Sequence, residues 1–147
     1  MPVNAERQMS ASMTSHGSQQ IAWTVEGFER FWAKPDAALV PAVLTDDIVG
    51  YWPGRAAVKG VAEYTDAIAQ LIGLLPDLRL EIAEHAANGD VVFVRWIMRA
   101  TGRHGPMELT GIDRIRLRGG LVAENIIRFD SAEFERLSGY SMPGAVM

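Results

Sequence analysis

The chain has 147 residues, of which 48% are hydrophobic and 22% charged, and its net charge is -4. These values are typical of one soluble globular domain, and the negative charge argues against a nucleic-acid-binding surface. Because the chain has no cysteine, disulfides, thiolate catalysis and cysteine-bound metals are excluded, and a cytoplasmic location is expected.

The ends of the chain look different from its middle. Residues 1–20 are rich in Ser and Gln and contain no apolar block, so we expect a disordered polar tail and not a secretory signal. One domain is predicted over residues 21–138, followed by a C-terminal tail over 139–147. No apolar run approaches the roughly 20 residues that a membrane-spanning helix needs, so no membrane partner is expected.

Three helices are predicted in the first half of the domain. Aromatic residues at helical spacing predict the first helix, which ends at Lys34-Pro35. A short second helix is expected over 37–44, and a strand over 48–52 follows it. The third helix is predicted over 61–75, where apolar residues recur every three or four positions.

The second half of the chain is predicted to be a meander of four strands. Tight turns at Asn88-Gly89-Asp90 and Gly119-Gly120 separate runs of alternating polar and apolar residues. A final helix is expected from Ser131, capped by its own hydroxyl. Helices followed by a meander form an α+β layout. We predict a cone-shaped, curved antiparallel (mixed) sheet whose concave face carries the three N-terminal helices, with a pocket between them.

One strand of this meander carries an acid on its apolar face. Gly111–Gly120 reads Gly-Ile-Asp-Arg-Ile-Arg-Leu-Arg-Gly-Gly, so alternation puts three arginines on one face and Asp113 with Ile115 and Leu117 on the other. A buried carboxylate costs several kcal/mol unless it is paired or protonated. Such a cost is usually tolerated where chemistry or ligand binding requires it. Asp113 is therefore the main catalytic candidate, and a structural ion pair with a buried Arg95 or Arg99 is the alternative.

The neighbouring strands can be phased against Asp113. On the last strand Asn125, Ile127 and Phe129 share the inward face. On the long strand before Asp113, the inward set is taken to be the one without arginines, which contains Val94 and Trp96. The predicted pocket residues are Phe28, Trp32, Tyr51, Trp52, Tyr64, Val94, Trp96, Ile127 and Phe129. Asn125 joins Asp113 as the second candidate catalytic residue.

The order of elements, with Gly-Ile-Asp-x-Ile-Arg before a Gly turn and a final strand, resembles the nuclear transport factor 2-like superfamily. The similarity is greatest to its ketosteroid isomerase and SnoaL-like polyketide cyclase branches, and it covers residues 21–137. The resemblance implies a cystatin-like fold and a cavity-facing acid at Asp113. In the isomerases this acid donates a hydrogen bond to a dienolate oxygen, and in the cyclases it resembles the general acid/base of an aldol closure.

The sequence departs from the isomerase pattern at two positions. Trp52 stands where the isomerases have their catalytic base, and Phe28 stands where they have a tyrosine. Steroid isomerisation by that mechanism is therefore not expected. Asn125 replaces a histidine that is frequent in the cyclase-like sequences. The Arg-x-Asp of related epoxide hydrolases is absent, since the comparable stretch is Val92-Phe93-Val94.

These observations favour a cofactor-free enzyme of cyclase, isomerase or dehydratase type that acts on a small hydrophobic cyclic carbonyl compound. Asp113 would be its general acid/base, and Asn125 would polarise a ligand oxygen. The alternative is a non-catalytic small-molecule-binding or dimerisation module of the same fold. No metal site is predicted, because the three histidines are scattered. His104, in the turn between the central strands, is a possible contributor at the pocket mouth.

The outward face of the meander is also unusual. It combines arginines with the apolar residues Phe93, Ile97, Val122 and Ile126. A mixed face of this size is expected to be covered in an assembly. The sequence therefore predicts a homodimer formed through the outer sheet face.

Overall fold

The computed structural model describes residues 19–144. Residues 1–18 of the predicted N-terminal tail and residues 145–147 lie outside the described residues. The helices are α1 (Val25–Ala33), a 3-10 helix (Ala37–Val43), α2 (Val61–Leu74) and α3 (Ser131–Ser138). The strands are β1 (Leu44–Tyr51), β2 (Val58–Lys59), β3 (Arg79–Asn88), β4 (Val91–Gly102), β5 (Gly105–Arg118) and β6 (Leu121–Arg128).

The strands form one mixed sheet in the order β2-β1-β6-β5-β4-β3. From β3 to β6 it is the predicted antiparallel meander. β1 is added parallel to β6, and the short β2 pairs antiparallel with β1. The predicted α+β class and mixed sheet are confirmed.

The helices cover one face of this sheet, which we call the inner face. α1 contacts β3, whereas α2 contacts β1, β2 and the 3-10 helix. The side chain of Thr24 caps α1 by accepting a hydrogen bond from the Gly27 amide. The second helix is of the 3-10 type and contains Pro41, which has no amide hydrogen for an α-helical bond. The core therefore lies between the helices and the inner face.

The outer face carries the arginines, as the alternation predicts. Arg95 pairs with Glu84, and Arg99 pairs with both Glu81 and Glu108. On β5 the arginines at positions 114 and 116 share Glu124. These pairs bring opposite charges together on neighbouring strands, and they leave the inner face to apolar side chains.

The predicted position of Val122 on the outer face is wrong. Arg116 pairs with Glu124, but Leu117 pairs with Val122, so Ala123 is an extra residue on β6. This bulge reverses the alternation, because each side chain beyond it moves to the opposite face. Val122 is consequently buried, and it borders the cavity described below.

The predicted cap of the last helix is also wrong. The side chain of Asp130, and not that of Ser131, accepts the hydrogen bond from the Glu133 amide, at 3.0 Å. Asp130 has extended backbone angles, which suit an N-cap, whereas Ser131 is already the first helical residue.

Residues after α3 pack against the domain. Met142 is buried, and the Pro143 carbonyl oxygen accepts a hydrogen bond from Arg55. Within residues 19–144 no helix has the length and hydropathy needed to cross a membrane.

Candidate functional site

A cavity of about 380 Å³ lies between the helices and the inner face. Ligand pockets usually measure roughly 300 to 1,000 Å³. Its lining is mainly aliphatic and aromatic, and all four tryptophans of the chain border it. The cavity is therefore large enough for a small hydrophobic molecule.

Asp113 supplies the only carboxylate among the described residues that line this cavity. It is buried, with 6% of its surface exposed. Its Oδ1 accepts a hydrogen bond from Trp96 Nε1, and its Oδ2 accepts one from Asn125 Nδ2, both at 2.9 Å. Burial raises the pKa of Asp113 to about 6, although the two hydrogen bonds act in the opposite direction.

No described cation pairs with Asp113. Arg95 and Arg99, the two arginines considered for a structural ion pair, bind glutamates on the outer face. The ion-pair alternative for Asp113 is therefore not what the structure shows. Its carboxylate is held instead by two neutral donors in a cavity wall.

Asn125 links the acid to a second polar group. Its Nδ2 donates to Asp113 and also to the hydroxyl oxygen of Tyr64, at 2.9 Å each. Both amide hydrogens are thus engaged, and its buried Oδ1 has no partner among the described residues. The expected polarisation of a ligand oxygen by Asn125 does not fit this geometry, because no donor is left. The amide holds Tyr64 beside the acid instead.

The phenol of Tyr64 is buried beside the acid. Burial, followed by the nearby charge of Asp113, raises the pKa of its phenol above the ordinary value. Its oxygen accepts the Asn125 hydrogen bond, and no described residue accepts its own proton. We call Asp113, Asn125, Tyr64 and Trp96 the Asp113 cluster.

Two glycines leave room for the aromatic members of this cluster. Gly111 pairs with Trp96 across the sheet, and a Cβ at Gly111 would overlap the indole ring. A Cβ at Gly50 would stand 2.7 Å from Cε2 of Tyr64 and 2.8 Å from Cζ3 of Trp52. The sequence analysis did not use this signal, although a glycine inside a strand often marks a close approach.

Most of the predicted pocket residues border the cavity: Phe28, Trp32, Trp52, Tyr64, Trp96, Ile127 and Phe129. Tyr51 does not, because it alternates with the inward Gly50, and its side chain is 37% exposed. Val94 is fully buried beside Asp113 but does not border the cavity. His104 is exposed in the β4–β5 turn, close to Gly139 and away from the cavity lining.

The sequence analysis missed several lining residues. Trp23 packs edge-to-face on Phe28, with ring centroids 6.1 Å apart, and borders the cavity. Arg30, exposed on α1, and Lys34, the exposed residue that caps the end of this helix, border it as well. No group of three potential metal ligands occurs within residues 19–144.

Several solved structures have the same fold. A protein of Catenulispora acidiphila with a ketosteroid isomerase-like fold, solved with trimethylamine, is 13% identical with a TM-score of 0.71 over 80% of this chain and 93% of its own. TerC, solved with polyporic acid, is 18% identical with a TM-score of 0.66 over 76% and 92%. A Jannaschia protein assigned to the SnoaL-like polyketide cyclases is 17% identical with a TM-score of 0.68 over 79% and 92%. These likenesses establish the fold.

The family follows from the sequence itself. The family model of the SnoaL-like domain matches residues 25–125, which is more than half of the chain. The chain therefore belongs to the SnoaL-like family, within the nuclear transport factor 2-like superfamily, as the sequence analysis predicted. A comparison with curated protein sequences gives no significant match.

Proposed function

We propose that this protein is a cofactor-free enzyme that enolises a small hydrophobic cyclic carbonyl compound, with Asp113 as general acid/base. The observation that carries the proposal is the Asp113 carboxylate, which borders a ligand-sized apolar cavity and has no counterion among the described residues. A structural acid would be expected to have a cationic partner. Two similar structures hold small molecules, which supports a ligand-binding cavity here.

The raised pKa suits a base that works near neutral pH. At pH 7 a carboxyl with a pKa of about 6 is mostly ionised, yet it binds a proton more strongly than an ordinary aspartate. In the proposed step Asp113 removes a proton from the carbon beside the carbonyl, and the C–H electron pair forms the enolate. The apolar walls keep the charged groups away from bulk water, which strengthens their interactions with the ligand.

Tyr64 is proposed to stabilise the enolate oxygen. Its raised pKa keeps the phenol protonated, and its proton is not used by any described residue. Asp113 then returns the abstracted proton. If the proton goes to a different carbon of a conjugated enolate, the product is an isomer. If the enolate carbon first bonds to a second carbonyl carbon, the proton goes to the resulting alkoxide and the reaction is a cyclisation. Delivery to a departing hydroxyl group, which leaves as water, gives dehydration.

Enolisation can be tested without the natural substrate. The enzyme is incubated in deuterium oxide with tetralone, anthrone and a steroid ketone, and exchange beside the carbonyl is followed by NMR. We expect wild type to accelerate the exchange of at least one ketone. Asp113→Asn should abolish the acceleration, and Tyr64→Phe should reduce it about a hundredfold, as the loss of an oxyanion donor does.

Matched variants distinguish the loss of a catalytic group from a nonspecific effect of the substitution. Asp66→Asn and Tyr51→Phe make the same chemical changes at exposed positions that do not border the cavity, and they should exchange like wild type. Exchange that persists undiminished in Asp113→Asn would contradict the proposed role. Binding of these ketones without any exchange would favour the second candidate below.

The second candidate is a non-catalytic module that only binds a small molecule. Trp52 and Phe28, which stand in place of two isomerase groups, both border the cavity as apolar surfaces. They would provide affinity without chemistry. In this case the ketones would bind, Asp113→Asn would change affinity alone, and no exchange would be seen.

We also propose that two copies pair through the outer face. Phe93 and Ile112 are exposed there, at 38% and 36%, among the ion-paired arginines. Large apolar side chains on such a face are typical of an interface.

A further inference from the structure

The charged groups around the cavity divide into two zones. Asp113 is buried, whereas Arg30 on α1 and Lys34 at its C-terminal cap border the cavity from exposed positions. They are the only cations among the described lining residues. A protein with a net charge of -4 therefore has a cavity opening of the opposite sign.

Arg30 differs from the other arginines of the described chain. Each of those has a partner: a carboxylate, a main-chain carbonyl oxygen or, for Arg103, the ring of Tyr140. Arg30 has none among the described residues, and neither has Lys34. Glu26 and Glu29 on the same helix do not border the cavity, and neither comes within ion-pair distance of these two cations.

Both cations belong to the end of the same element. Arg30 lies in the last turn of α1, and Lys34 is the C-cap residue that follows it, with a φ of -153° and a ψ of 79°. A guanidinium and an ammonium that border the same cavity suit a carboxylate, which can accept hydrogen bonds from both. Because they are solvent-exposed, they remain hydrated when the cavity is empty, and no large desolvation cost opposes ligand entry.

We infer that the ligand of this cavity is an amphiphilic carboxylate, a fused-ring carbonyl compound whose carboxylate is bound by Arg30 and Lys34 while its carbonyl end reaches the Asp113 cluster. The volume of about 380 Å³ suits two or three fused rings. The inference rests on the proposed function for the carbonyl end only. The carboxylate end rests on Arg30 and Lys34, and it holds whether or not the protein catalyses a reaction of the ligand.

The test uses a pair of ligands that differ in one charge. The first is an acetylnaphthalenecarboxylate, in which the ketone and the carboxylate stand at opposite ends of the rings, and the second is its methyl ester. Binding is measured by titration calorimetry at pH 7.5. We expect wild type to bind the acid about five to ten times more tightly than the ester, as two exposed charge contacts would give. Raising the salt concentration should shrink this preference, because exposed charges are screened.

The double variant Arg30→Gln/Lys34→Gln should bind the two ligands with equal affinity. The control Lys59→Gln/Arg79→Gln makes the same change in net charge at exposed positions that do not border the cavity. It should keep the preference for the acid. Equal binding of acid and ester by wild type, a preference that survives in the first double variant, or failure of both ligands to bind would overturn the inference.

Asp113→Asn distinguishes this inference from the proposed function. If the preference for the acid persists in Asp113→Asn and wild type exchanges no ketone protons, the carboxylate site stands and the enzymatic proposal fails. If ketone exchange depends on Asp113 while acid and ester bind alike, the enzymatic proposal stands and the carboxylate site fails.

Discussion

Asp113 is surrounded by groups that stabilise its charge only in part. Trp96 and Asn125 each donate one hydrogen bond to it, yet burial dominates and raises its pKa to about 6. A neutral donor lowers the pKa of a carboxyl less than a nearby cation does. The result is an acid that changes charge close to neutral pH, which is the property that proton transfer in either direction requires.

The raised pKa makes the stability of the protein depend on pH. Since the folded state binds the proton more tightly than the unfolded chain, whose value is near 3.8, the stabilisation is fully present below that value. It is lost as the pH rises through about 6. The free energy of unfolding should fall by roughly 3 kcal/mol across this window because of Asp113 alone.

Asp113→Asn should remove this contribution. We expect the free energy of unfolding of the variant, minus that of wild type, to increase by about 3 kcal/mol between pH 3 and pH 7. Urea unfolding of both proteins over that range measures the difference, in which the other titrating groups cancel. Parallel pH profiles of the two proteins would contradict the raised pKa.

At the scale of elements, the site depends on how β4 and β5 approach each other. Gly111 faces Trp96 in the pairing of these strands, so the indole lies over a bare stretch of β5 and reaches Asp113 two residues further along. A glycine also makes room for aromatic rings on β1, where Gly50 leaves space for Tyr64 and Trp52. Both aromatic members of the cluster are therefore positioned by glycines on strands that they pack against.

Gly111→Ala should damage the site specifically. The added methyl group would overlap the indole of Trp96 and approach the Arg128 carbonyl oxygen to 2.8 Å, so the Trp96–Asp113 hydrogen bond should break. We expect a stability loss of about 1 to 3 kcal/mol, as for other overpacked sites. A changed near-ultraviolet circular dichroism spectrum should accompany this loss.

Gly73→Ala provides the matched control. Gly73 lies in α2 with nothing within 4 Å of the position of an added methyl group. Alanine has the higher helix propensity, so this variant should gain about 0.5 to 1 kcal/mol. A tryptophan spectrum and stability in Gly111→Ala equal to wild type would show that the indole does not need the space.

At the scale of the whole molecule, the inner and outer faces of the sheet differ in what covers them. The inner face and the helices enclose the cavity, while the outer face exposes Phe93 and Ile112. A homodimer through the outer face would leave the cavity openings of both copies free. This arrangement is compatible with ligand binding in each copy.

Phe93→Arg should shift the protein from dimer to monomer. A charge in the centre of an apolar contact is not compensated, and two copies related by a two-fold axis would bring two such charges together. Sedimentation velocity at several concentrations measures the state. The control Ile21→Arg alters another exposed apolar residue away from this face. A monomeric wild type would contradict the dimer.

Much of the site followed from the sequence because strand alternation is a local property. The inward direction of Asp113, Trp96 and Ile127 depends only on whether each lies at an odd or even place in its own strand. Alternation failed at Val122, where a bulge inserted one residue. Strand alternation also does not distinguish Val94, which is fully buried, from the inward residues that border the cavity.

The sequence by itself determined the α+β class, the antiparallel meander, the family and an inward-facing acid. Only the tertiary structure decided what this acid touches. The Asp113 cluster joins α2 to three strands, and its contacts depend on strand register and helix packing, which link residues distant in the chain. For the same reason the contacts of Asn125 and Tyr64, and the position of Arg30 on the cavity lining, emerged only when the elements were assembled. Local periodicity fixes which way a side chain points, whereas long-range packing fixes which group it meets.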